Sequence, residues 1–194
     1  IITLFSPLLL FGKIFLGTDA IDYLYPLSYF FKTHYLSSWN PFIFLGFPMV
    51  SSFHYAFFSP VYLVLFKLFD FLLAIHLVLF LDFILASIFV YLFFKDIGLG
   101  IKGSRITTIV YTFSQFSIFW MVSHTVTNAI FILPAIFFLM HRIIERKQKV
   151  YTILLGFFIG LGLLTAHYQF VVMAVFAGVL FSAYLLLRFY IERV

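Results

Sequence analysis

The chain has 194 residues, of which 64% are hydrophobic and only 10% charged, and its mean hydropathy is +1.16. Soluble globular domains carry about 25% charged residues, and disordered chains combine low hydrophobicity with high charge, so both classes are excluded. Twelve Lys and Arg against seven Asp and Glu leave a net charge of +5, which in so apolar a chain speaks to orientation in a bilayer rather than to nucleic acid. The absence of cysteine excludes disulfides and thiolate metal sites.

A helix needs about 20 apolar residues to cross roughly 30 Å of hydrocarbon. Six segments meet or approach that length: 1–16, 72–94, 106–122, 126–140, 151–166 and 170–187. The expected fold is therefore all-α, a polytopic transmembrane helix bundle of about six spans. The first span starts at Ile1, already inside an apolar run, so residues 1–194 are expected to form one transmembrane domain from the N-terminal portion of a longer protein.

The loop 17–60 is too aromatic for a free solvent loop. Residues 22–36 place apolar side chains at helical spacing around Lys32 and His34, with Pro26 breaking the pattern, which predicts an amphipathic interfacial helix. Trp39-Asn40-Pro41, Gly46-Phe47-Pro48 and Ser59-Pro60 follow as turn signals. Residues 61–71 are too short to cross and are interrupted by Lys67 and Asp70, so they read as a re-entrant or interfacial helix. His76 and Asp82 lie within the second span, where ionisable groups are costly. Asp82 either pairs with another helix or faces a groove, or it belongs to a proton pathway. The glycine-bearing run 98–104 lacks phosphate-loop spacing and reads as a flexible inner turn. Residues 141–149 read as a basic inner loop, suited to anionic lipid. Gly156 and Gly160 in the fifth span have the spacing of close helix packing.

Placing the N-terminus in the cytoplasm puts nine of the twelve basic residues on the inner side, leaving only Lys13, Lys32 and Lys67 elsewhere. That is the positive-inside pattern of a multi-pass protein of the cytoplasmic membrane. Asp19, Asp22, His34, His54, His124 and His167 then fall on the outer side. Such grouping points to a site, while each residue taken singly also fits a solvated loop. Asp19, about a turn past the first span, is either a solvated flank or a base at the membrane boundary.

The order of Asp19, Tyr25-Pro26, Trp39-Asn40-Pro41, Gly46-Phe47-Pro48 and Ser59-Pro60 resembles the opening of the YfhO-type bacterial membrane protein family. His76-Leu77, Gly98-Leu99, Pro134 and His167-Tyr168-Gln169 extend the likeness along the chain. Ser59, Ala166 and Tyr168 depart from the Tyr, Gly and Pro of that pattern, and Asp82 is foreign to it. The resemblance implies a GT-C-like glycosyltransferase with a long first outer loop. It would take a sugar from a polyprenyl-phosphate donor and pass it to a cell-surface polymer or glycolipid on the outer face. The family's loop carboxylate maps to Asp19 as catalytic base. Asp22, Lys32, His34, Trp39, Asn40, His54, His124, His167 and Gln169 become the substrate-binding candidates. A positioned carboxylate taking the acceptor proton contributes roughly 10²–10⁴-fold. Lys32 and the histidines have the charge to face the phosphate leaving group. A divalent ion bridging Asp19 and that phosphate would suit the chemistry, yet no metal-ligand spacing is present. A transporter coupled through Asp82 and His76, or a non-catalytic membrane scaffold, are the competing readings.

Overall fold

The computed structural model describes residues 1–11, 13–14, 20–50, 56–123, 127, 129–165 and 167–192. The fold is helical apart from one two-stranded ribbon. The α-helices are α1 (Ile2–Phe11), α2 (Tyr25–Thr33), α3 (Pro60–Leu68), α4 (Phe71–Asp96), α5 (Gly100–Thr112), α6 (Gln115–Ser123), α7 (Ala129–Arg146), α8 (Lys149–Thr165) and α9 (Tyr168–Ile191). α4 packs on α5 and α7, and α7 packs in turn on α8 and α9, so α4 and α7 form the axis of the bundle. α1 and α3 lie against α4. Among the described residues two helices, α4 with 26 residues and α9 with 24, are long and apolar enough to cross a membrane. They sit differently: 44% of the apolar window of α4 is buried inside the protein against 22% for α9. α9 therefore turns most of its hydrocarbon outward.

The boundaries of α4 follow from local chemistry. Asp70 is its N-cap, with Oδ1 accepting from Leu73 N at 3.0 Å. This explains why the apolar run is broken there, and why α3 is a separate nine-residue helix. Ser59 caps α3 by accepting from Tyr62 N, and Pro60 supplies the first-turn φ. At the other end of α4, Gly98 has φ +96°. Its N–H donates to Lys95 O and that of Leu99 to Phe94 O, which is a Schellman closure.

Several expectations are corrected. The run 98–104 is not a flexible turn: α5 begins at Gly100, and the chain is helical from there. The predicted third span breaks at Phe113 and Ser114 into α5 and α6, where Ser117 Oγ donates to Tyr111 O. The basic loop 141–149 is largely helix, because α7 runs to Arg146 and α8 starts at Lys149. Gly156 and Gly160 pack against nothing, since a Cβ at either would meet no atom within 4 Å. Close approach is made instead at Gly178, where a Cβ would meet Ile136 Cγ2 of α7 at 2.6 Å. The helix predicted over residues 22–36 is shorter than expected. A π-helical turn, Ala20–Leu24, leads into α2, and Pro26 sits in its first turn rather than breaking it.

Pro134 lies inside α7 and has no N–H to offer the carbonyl of Ile130. The Tyr111 hydroxyl donates to that carbonyl at 2.9 Å. A hydroxyl from α5 thus fills the gap that proline leaves in the α7 ladder and ties the two helices together.

Candidate functional site

Residues 20–50 and 56–68 form an aromatic cap on one end of the bundle. Phe31 stacks on Phe57 with centroids 5.1 Å apart and meets Phe66 edge-on at 5.9 Å. Phe5 of α1 packs edge-on against Phe83 of α4 at 5.4 Å. These rings are fully buried and join the cap to the core. Between α2 and α3, Trp39 pairs with Pro48 and Asn40 with Phe47 in an antiparallel ribbon. Two of the motifs recognised in the sequence are thus the two strands of one hairpin. Gly46 has φ +119°, and a Cβ there would strike the Trp39 ring at 2.1 Å, so glycine is required on both counts.

The candidate residues divide by what the fold asks of them. Lys32 points its ammonium at the C-terminal carbonyls of α3, donating to Phe66 O and, at 2.7 Å, to Phe69 O. Asn40 is buried, and its Oδ1 accepts from Phe42 N at 3.0 Å in an Asx turn. Both side chains are engaged with backbone. Trp39 lies half-exposed over Gly46. Asp22 is exposed on the π-turn. His34 is exposed and stacked on Phe30 at 4.5 Å, with Nδ1 3.0 Å from Thr33 Oγ1. His167 is the N-cap residue of α9, its ring edge-on to Phe170, and Gln169 is exposed in the first turn. Asp19, His54 and His124 lie outside the described residues.

Asp82 is 5% exposed, and its Oδ2 has no hydrogen-bond partner among the described residues. It lines a cavity of about 130 Å³ with Ser59 and Tyr62 of the cap, Val78 of α4, Phe131 of α7 and Leu161 of α8. Asp82 thus faces a groove, and no ion pair with another helix reaches it among the described residues.

At the opposite end of the bundle, one cluster escaped the sequence reading. His141 Nδ1 lies 2.9 Å from Asp96 Oδ2, and Arg142 Nη2 lies 2.5 Å from Asp96 Oδ1. His141 Nε2 also faces Glu145 Oε1 at 3.5 Å. Asp96, His141 and Glu145 have ligand atoms close enough for one cation. The Arg142 guanidinium already occupies the Asp96 carboxylate, however, and opposes a second positive charge. The cluster therefore reads as an ion-paired clamp joining the ends of α4 and α7. Its only sequence signal was an Asp at the end of one span and a His in another segment assigned to the same side.

The clamp also brings the basic residues together. Lys95 stands beside Asp96 at the end of α4, Lys102 and Arg105 open α5, and Arg142, Arg146, Lys147 and Lys149 surround the α7–α8 turn. The protein thus has a basic end and an aromatic-capped end. Comparison with family profiles, curated proteins and solved structures finds no match to this chain.

Proposed function

We propose that the chain is the membrane-embedded part of a polytopic GT-C-like glycosyltransferase of the cytoplasmic membrane. It would use a polyprenyl-phosphate sugar on the outer face and glycosylate a cell-envelope acceptor. The observation that carries the reading is the polarity of the bundle: basic side chains gather at one end, and a folded aromatic cap covers the other. Basic ends face the cytoplasm, which puts the cap at the outer surface, where a lipid-borne sugar phosphate would lie. Lys13, Asp22, His34, Trp39 and Gln169 present exposed polar or aromatic groups on that side. Asp19, which precedes Ala20 in the sequence, is assigned as the base that takes the acceptor proton while its oxygen attacks the anomeric carbon and the lipid phosphate departs. The six-span topology belongs to the same reading. α5 and α6 together serve as the third span and α8, a 17-residue helix, as the fifth.

The test is Asp19→Asn in the native membrane protein, assayed for transfer of labelled sugar from a polyprenyl-phosphate donor. Transfer should fall by 10²-fold or more while membrane insertion persists, and retained transfer refutes the assignment. A second reading, an ion-coupled transporter, is favoured by Asp82 beside a cavity, its Oδ2 without a hydrogen-bond partner among the described residues. A proton flux abolished by Asp82→Asn would select it instead.

A further inference from the structure

A cleft of about 750 Å³ opens between the C-terminal ends of α7 and α9. Its walls join charge to hydrocarbon: Glu145, Arg146 and Lys147 on one side, Leu186, Phe189 and Tyr190 on the other. Arg146 and Lys147 are exposed and form no ion pair among the described residues. Glu145, the one carboxylate in the lining, faces the His141 imidazole at 3.5 Å, and Arg146 and Lys147 set two cations against it. The cleft is therefore suited to an anion.

Two further features indicate its kind. Lys147 has φ +53°, and its N–H donates to Ile143 O at 3.1 Å, so it holds the left-handed position that ends α7. Glycine fills that position without strain. A lysine there keeps an ammonium at the mouth of the cleft against the local backbone preference, as expected where a ligand needs it. Above the cleft, the same flank of α9 is apolar: Leu186 and Tyr190 continue upward to Val179, where a groove lined by Val175 and Val172 begins. From Tyr190 to Val179 the helix rises about 16 Å, close to the roughly 15 Å depth of one leaflet's hydrocarbon.

We infer that this cleft binds one anionic phospholipid of the leaflet at the basic end of the bundle. The phosphate sits against Arg146 and Lys147, and an acyl chain follows the α9 flank. Basic pockets between spans on the cytoplasmic side hold such headgroups. The inference rests on the membrane-embedded part of the reading above and is independent of sugar transfer.

The test is native mass spectrometry of the protein released from detergent, titrated with phosphatidylglycerol and phosphatidylcholine of matched chains. Two basic side chains at an anionic surface predict a preference of about thirtyfold for phosphatidylglycerol in the first binding event. R146Q/K147Q should bring that preference near unity. K147G should reduce it about fivefold with no loss of thermal stability, an outcome that a purely structural lysine would not produce. Equal binding of the two lipids, or a preference surviving in the double variant, overturns the inference. So does displacement of phosphatidylglycerol by millimolar inorganic phosphate, which would make this a free-anion site. Membrane extraction of the same protein separates the two claims. A chain released by carbonate refutes the membrane reading, whereas an embedded chain indifferent to lipid charge refutes the cleft alone.

Discussion

Replacing Gly178 by alanine should weaken the fold, whereas the same change at Gly156 should strengthen it. In a helix interior alanine is better than glycine by about 1 kcal/mol, and at Gly156 a new methyl would meet nothing within 4 Å. The expected gain there is about 1 kcal/mol. At Gly178 the methyl would stand 2.6 Å from Ile136 Cγ2 and 2.7 Å from Met140 Sδ. Met140 is flexible enough to move. Ile136 is fully buried and, being β-branched, has little rotamer freedom in a helix. α7 and α9 must then part slightly, at an overpacking cost of about 1–3 kcal/mol. With the propensity gain subtracted, Gly178→Ala comes out about 1 kcal/mol destabilising. The two identical substitutions should thus differ by about 2 kcal/mol, or roughly thirtyfold in the folding equilibrium. Unfolding in mixed micelles, followed by far-ultraviolet circular dichroism against increasing dodecyl sulfate, measures both. Gly178→Ala stabilising as much as Gly156→Ala would refute the crossing of α7 and α9, and a destabilising Gly156→Ala would mean that the α8 face is packed after all.

Asp96→Ala should cost about 3 kcal/mol in the same assay, because it strands the buried His141 and the Arg142 guanidinium. A change under about 0.5 kcal/mol would identify the pair as a screened surface bridge. Tyr111→Phe should cost about 1–2 kcal/mol by leaving the Ile130 carbonyl without its donor. That cost should shrink in a Pro134→Ala background, where the helix N–H returns, and an undiminished cost would show that the tyrosine acts elsewhere.

The termini of the inner helices were legible where a cap is encoded in one or two residues. Ser59-Pro60 and Asp70 are such signals, and α3 and α4 start at them. The helix α2 was legible from the apolar spacing of residues 22–36, although its length was not. Two misreadings share a cause. The runs 98–104 and 141–149 carry glycine or charge that single-sequence reading equates with loops. In the fold, Gly98 closes one helix, Gly100 opens the next, and the basic residues ride on the last turns of α7. Gly156 and Gly160 have packing spacing, but which side of a helix meets a neighbour is decided by tertiary contacts that spacing does not contain. The clamp of Asp96, His141 and Arg142 was equally hidden, since its members are 45 residues apart in sequence.

The site poses a different problem, because residues chosen for chemistry also had folding duties. In so apolar a chain, each buried backbone carbonyl left over at a helix end needs a donor, and polar side chains are scarce. Lys32 spends its ammonium on the end of α3, and Asn40 spends its amide oxygen on the hairpin turn. Trp39 serves the hairpin by covering Gly46 yet leaves half its surface outward. This sorting narrows the proposal. A sugar phosphate at the capped end would meet Asp22, His34, Trp39 and Gln169, with Asp19 as the assigned base, rather than the full set of polar residues on that side. Lys32 should therefore matter to stability before it matters to transfer. The basic end obeys the opposite economy: Arg142 and His141 hold Asp96, and Glu145 faces His141, so Arg146 and Lys147, without an ion pair among the described residues, are left over for the lipid inferred above.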